Sequence, residues 1–146
     1  MSDRSPLLAV RRPPKQVAVI ALRRRDDDVE VCLIRRKDSR RWGIPKGFID
    51  PGCTAEQASL IEAHEEAGLK GRVLGDAVGT YEYQKLGRGR LVAVYVMEVL
   101  EAEEHWREES FRERRWASLT EATTLLAEHP VRRVWDLIKP RLADSV

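Results

Sequence analysis

The sequence predicts an α/β domain in which a mixed β-sheet is covered by helices on both faces. Three observations lead there. Apolar, β-branched runs recur in pairs separated by short charged or glycine-containing turns, the pattern of antiparallel hairpins. Residues 54–68 carry both a helix start signal and a helix stop signal. Two further helical patterns close the chain beyond residue 119. Helices set between hairpins imply a sheet packed on two sides.

Taken in order, residues 1–14 end in Arg11-Arg12-Pro13-Pro14 and read as a flexible lead-in, leaving 15–146 as one domain. Residues 15–22, KQVAVIAL, form a buried strand, and 29–34, VEVCLI, return as a second; the charged stretch 23–28 between them is a solvated turn. Strands follow at 70–74 and 77–86, with Tyr81 and Tyr83 on one face. Residues 87–90, GRGR, read as a hairpin turn leading to 91–100, LVAVYVMEVL, a run apolar enough for a central strand. Residues 101–115 mix acid and base and read as a solvated loop before a short strand at 116–118. Thr120 is expected to cap a helix to residue 128, and Pro130 to open a last helix over 131–142 with Val134, Trp135, Leu137 and Ile138 inward. His64, His105 and His129 are expected to be exposed.

Composition bounds the function. A chain of 146 residues suits one domain with a real core, and 34% charged against 42% hydrophobic residues suits a soluble, cytosolic protein. No apolar run has the length of a membrane span, and the first residues lack a signal-peptide core. The two cysteines, Cys32 and Cys53, provide no zinc spacing. A net charge of +2 does not by itself imply nucleic acid, and the aromatic–basic interleaving of ribonucleoprotein modules is missing. The arginines are nevertheless clustered. Residues 35–41 hold five basic side chains in seven and lead directly into Trp42-Gly43-Ile44-Pro45-Lys46-Gly47.

The chemistry concentrates in the first helix. Glu62, Glu65 and Glu66 stand at i, i+3 and i+4, which places three carboxylates on one helical face. Leu60, Ala63 and Ala67 lie on the opposite side as the core face. Thr54 and Gln57 make a capping box, and Gly68 is the C-terminal stop. No lysine or arginine between residues 47 and 69 balances the acids, so the cluster suits a hard divalent cation such as Mg²⁺ or Mn²⁺.

In register, Gly47, Glu62, Glu65, Glu66, Gly68 and Leu69 resemble the Nudix box, G-x5-E-x7-R-E-U-x-E-E-x-G-U. Two positions depart from it: Cys53 stands for the first Glu and Ile61 for the Arg. Both ends of the family's ionic brace have changed together, and a buried apolar contact is expected in its place. The resemblance implies the family's α/β/α sandwich over roughly residues 15–142 and the hydrolysis of a phosphoanhydride. Glu62, Glu65 and Glu66 would bind metal, with Gly47 added to that set, and one of the three or a later acid, Glu109 or Glu113, would act as base or extra ligand. Lys46, Arg36, Arg40 or Arg41, and Arg112 or Arg114 are the candidates for gripping substrate phosphate. Trp42 is expected to pack beneath its loop.

Within the family the chain is similar to the branch that hydrolyses diphosphoinositol polyphosphates and diadenosine polyphosphates. The likeness rests on Arg41-Trp42, Pro45-x-Gly47, the run 65–71, Val99-Leu100-Glu101 and Arg114-x-Trp116. It implies a highly phosphorylated or nucleoside-diphosphate-linked small molecule as substrate, with no membrane or nucleic-acid partner, and a monomer or homodimer. A catalytically silent nucleotide or metabolite sensor on the same fold is the alternative, motivated by Cys53 and Ile61.

Overall fold

The computed structural model describes residues 12–146, so residues 1–11 of the expected lead-in lie outside the described residues. Seven strands form one mixed sheet: β1 (Gln16–Arg25), β2 (Asp28–Arg36), β3 (Lys46–Phe48), β4 (Leu69–Val73), β5 (Gly79–Lys85), β6 (Arg88–Ala102) and β7 (Arg112–Ser118). The helices are α1 (Ala55–Ala67), α2 (Leu119–Leu125) and α3 (Arg132–Leu142). The sheet order is β4-β6-β1-β2-β7, with β3 added to β1 and β5 added to β6. Among the described residues only the central β1–β6 pair is parallel, aligned from Gln16 opposite Val92 to Leu22 opposite Glu98.

Strand β1 is apolar throughout its first seven residues bar Gln16 because both of its faces are covered. Ala18, Ile20 and Leu22 meet Val92, Val94 and Val96 and the helices α2 and α3. Val19 and Ala21 turn the other way, onto Ala63 and Ala67 of α1, with Leu60 packed at the edge. The mixed sheet between two helical layers is therefore the α/β/α sandwich expected. Among the described residues no helix is long and apolar enough to cross a membrane.

Helix α1 begins and ends where its local chemistry dictates. The Thr54 side chain accepts from the Gln57 N–H at 3.1 Å, and Gln57 Oε1 accepts from the Thr54 N–H at 2.9 Å. Gly68 stops the helix in the left-handed region at φ 69°. A Cβ there would stand 2.8 Å from Cβ of Trp106 and 2.9 Å from Nη1 of Arg114, so both conformation and space call for glycine.

Several expectations need correction. β3 was not foreseen; it is three residues long and exists through its pairing with β1. The second hairpin turns at Leu86-Gly87, both at positive φ, and not over 87–90; Arg88 already faces Lys85 in the ladder. β6 runs on to Ala102 and β7 starts at Arg112, which shortens the loop expected over 101–115. Ser118, not Thr120, caps α2, because Ser118 and Glu121 satisfy each other's backbone N–H groups at 3.0 Å. In α3 the inward stripe is Val134, Trp135, Ile138 and Leu142, while Leu137 is 76% exposed on the far side. His129 is not exposed either. Its Nδ1 accepts the Val131 N–H at 2.9 Å and its ring stands edge-on to Tyr81, while burial and the nearby Lys46 charge hold its pKa down to about 4.

Gly68→Ala should lower the unfolding free energy by about 1–2 kcal/mol or more, the cost of a Cβ in left-handed backbone plus the clash. Urea unfolding should show a lower midpoint with an unchanged slope; an unchanged midpoint would show that the turn tolerates a side chain.

Candidate active site

Strand alternation decides what faces what on β3. Gly47 faces α1, so closely that a Cβ would overlap the Glu62 carboxyl. The preceding peptide contributes too: the Lys46 N–H donates to Glu66 Oε1 at 3.0 Å. Pro45, whose carbonyl accepts the Val19 N–H at 2.9 Å, anchors the crossing to β1. Backbone thus approaches the helix where a side chain would block it.

Glu62 and Glu66, one helical turn apart beneath this crossing, are close enough that each carboxyl acts on the other's titration. Glu66 is only 7% exposed. Burial, then the negative charges of Glu66 and Glu65, pushes the Glu62 carboxyl up to about 8. Glu66 is pushed up to about 6, burial outweighing the Lys46 N–H and the Arg112 charge that pull it down. Glu65 is turned aside: Arg107 Nη1 donates to its Oε2 at 2.9 Å. The three box glutamates therefore do not converge on one point, and among the described residues no group of three His, Cys, Asp or Glu side chains does.

The loop 103–111 folds back over this helix face. The Glu108 N–H donates to the Glu65 carbonyl at 3.2 Å, and the Glu108 charge acts on both Glu62 and Glu66. Arg112 Nε donates to Glu108 Oε1 at 2.6 Å, and its Nη2 stands 3.6 Å from Glu66 Oε2. Glu108, missed in the sequence, is the loop acid beside the site. The two acids expected there are engaged elsewhere: Glu109 with His105 at 3.1 Å, and Glu113 with Arg35. The spacing of Glu108 and Arg112 at i and i+4 was the one available signal.

The arginines expected to hold phosphate also sort themselves. Arg114 is committed to the end of α1: its guanidinium donates to the Ala67 carbonyl at 2.7 Å and to the Glu103 carbonyl, and covers the Trp106 ring at 4.3 Å. Arg36 pairs with Asp38 at 3.1 Å and feels the Glu108 charge, which puts it at the rim of the loop. Arg40 and Arg41 are exposed, and the backbone N–H of Arg41 donates to Ser39 Oγ. Trp42 packs against the main core, with Arg35 over its ring at 4.4 Å. Ile61 is exposed, so it does not form the buried apolar contact expected of it with Cys53.

The donor set fits a hard divalent cation. Two carboxylates brought together under a backbone crossing, buried enough to raise both pKa values, are the kind of site at which such an ion keeps several waters and shares substrate phosphates. Glu65 and Glu108 stand beside them, each held by an arginine.

The NUDIX domain model matches residues 14–136. Nudix hydrolase 13, mitochondrial, of Arabidopsis thaliana is 32% identical over 107 residues, covering 66% of this chain and 53% of its own length. Diphosphoinositol polyphosphate phosphohydrolase 3-alpha of Mus musculus is 34% identical over 91 residues, covering 61% of this chain and 54% of its own. The chain spans about half the length of the curated relatives it matches. Among solved structures, a C. elegans Ap4A hydrolase binary complex superposes with a TM-score of 0.75 at 20% identity, covering 90% of this chain and 99% of that one. That likeness establishes the fold. Since the family's pattern extends over every strand of the sheet and the whole of α1, the chain belongs to the NUDIX domain family.

Proposed function

We propose that this chain is a divalent-metal-dependent hydrolase that cleaves a phosphoanhydride in a highly phosphorylated or nucleoside-diphosphate-linked small molecule. The observation that carries the reading is the Glu62–Glu66 pair held beneath the Lys46–Gly47 backbone. Family membership supports it, as do relatives named for diphosphoinositol polyphosphates and a structural neighbour named for Ap4A. A cytoplasmic location is part of the same proposal.

Glu62 and Glu66 would hold Mg²⁺ or Mn²⁺, with Gly47 leaving room for the Glu62 carboxyl. Such an ion neutralises phosphoryl charge and acidifies a bound water. The protein's own groups set the stage. The Lys46 N–H and Arg112 fix the orientation of Glu66. Glu62 carries a proton at neutral pH in the metal-free protein, and gives it up where a cation compensates the pair. Glu108, oriented by Arg112, would accept a proton from a water approaching the pair. Lys46 supplies positive charge beside the site, while Arg36 at the rim is paired with Asp38.

Phosphate release should be tested with Mg²⁺ and with Mn²⁺ on diadenosine polyphosphates, diphosphoinositol polyphosphates, ADP-ribose, nucleotide sugars and nucleoside triphosphates. Turnover of at least one, abolished by EDTA, is expected; none with either metal would leave a silent binding domain. Glu66→Gln should cut turnover at least about a hundredfold while the far-ultraviolet dichroism is retained. Undiminished turnover would remove Glu66 from the mechanism.

The raised carboxyl of Glu62 has a second consequence. A carboxyl whose folded pKa exceeds its unfolded value stabilises the fold below the unfolded value, and that stability is lost as pH rises through the folded one. For Glu62 the window runs from 4.5 to about 8. His129, held down to about 4 from 6.5, acts on the acid side and loses stability as pH falls. In EDTA, the unfolding temperature of Glu62→Gln should therefore decline less than the parent's between pH 6.5 and 8. Parallel curves would show that the Glu62 carboxyl is not perturbed.

A further inference from the structure

Most cations around the site are already spent. Arg112 sits on Glu108 and Glu66, Arg107 on Glu65, Arg35 on Glu113 and Arg36 on Asp38. Lys46 is held differently. Its Nζ donates to the Tyr83 hydroxyl at 2.9 Å and lies 4.3 Å from the centroid of that ring. The Tyr83 hydroxyl donates onward to Gln16 Oε1 at 2.9 Å, and Gln16 is 4% exposed. Among the described residues, none of the ion pairs includes Lys46. Its partner is a neutral hydroxyl backed by a neutral amide.

The sheet register builds this arrangement. Lys46 lies opposite Ala18 and Phe48 opposite Gln16, while Gln16 and Tyr81 both face Val92 of β6. Tyr83, two residues beyond Tyr81, therefore comes level with the start of β1. Because β3 alternates, the Lys46 side chain leaves on the face opposite the one where Gly47 meets Glu62. Gln16 and Phe48, partners across the β1–β3 ladder, help line a nearby cleft of about 920 Å³ whose walls also carry Lys15, Glu82, Arg88 and Arg90. One residue thus touches Glu66 through its N–H and the Tyr83–Gln16 pair through its ammonium.

We propose that Tyr83, backed by Gln16, is a positioning residue that fixes the ammonium of Lys46 without neutralising it, leaving the charge for a phosphoryl oxygen of the substrate. The proposal rests on the reading of the chain as a phosphoanhydride hydrolase. A lysine has a long flexible stem and loses rotamer freedom when it is ordered. A carboxylate anchor would order it but cancel its charge. A tyrosine oxygen whose own proton is committed to Gln16 offers lone pairs alone, so the ammonium is ordered while two of its three N–H groups remain for phosphate.

The test is a double-mutant cycle read by calorimetry, with tripolyphosphate as probe and Mg²⁺ omitted so that nothing turns over. Lys46→Met should weaken binding by about tenfold or more, and Tyr83→Phe, which keeps the ring, by about three- to tenfold. Gln16→Met should act in the same direction as Tyr83→Phe. In the Lys46→Met background, Tyr83→Phe should change the dissociation constant by less than about twofold, the mark of two residues acting as one unit. With a turned-over substrate, Tyr83→Phe should raise KM in the same proportion as it weakens the probe. Independent, multiplying effects, or a parent protein that does not bind tripolyphosphate, would overturn the proposal. Coupled binding without Mg²⁺-dependent phosphate release would keep the anchor and remove the hydrolase; turnover with uncoupled variants would do the reverse.

Discussion

Two carboxyl groups that repel each other are held together under a strand of backbone, and the surrounding structure makes that tolerable. Glu62 and Glu66 are one helical turn apart on α1, so the helix alone would bring them near. β3 presses them further from water by laying Gly47 against Glu62 and a peptide N–H on Glu66. Arg112 adds a positive charge to one side of the pair only. The result is asymmetric: Glu66 is braced twice, while Glu62 is pushed further toward its neutral form. An isolated α1 would have the same three acids and none of this tension.

The parts of the molecule that were legible in the sequence are those decided locally. The ends of α1 follow from Thr54, Gln57 and Gly68, each acting on backbone within a few residues. The continuous apolar character of β1 predicts a strand covered on both sides. What could not be read depends on where distant segments travel. β3 has three residues and no pattern of its own, yet it brings Gly47 and Lys46 to the helix. Glu108, Glu109 and Glu113 look equivalent in a string of acids and bases; only the fold of the loop and the pairing of Arg35 from β2 with Glu113 separate them. Ser118 was legible in principle, since Glu121 completes its capping box at the expected spacing. His129 departs from the exposure expected of an isolated histidine because its ring fills the space against Gly43 and Tyr81.

Arginine clusters teach a related lesson. In the sequence, residues 35–41 hold five basic side chains in seven, and Arg112 or Arg114 is a candidate for meeting phosphate. In the fold, Arg35 and Arg36 pair with acids, Arg112 steadies two carboxylates, and Arg114 closes a helix end with its carbonyl contacts. Arg115 lies on Glu121 and beside Trp42. Counting basic residues therefore overstates the field a phosphorylated ligand would meet. Charge held by neutral partners counts for more than charge held by carboxylates, because pairing screens the second kind before any ligand arrives.

The parallel union of β1 and β6 has a consequence for how the molecule comes into being. Val17 to Leu22 have their permanent neighbours at Ala93 to Glu98, more than half the chain away. During synthesis the first strand emerges with one edge unmet, and the middle of the sheet cannot close until the ribosome has passed residue 98. A nascent chain that already contains the acidic helix is thus still without its finished scaffold, and its longest apolar strand waits for a distant partner.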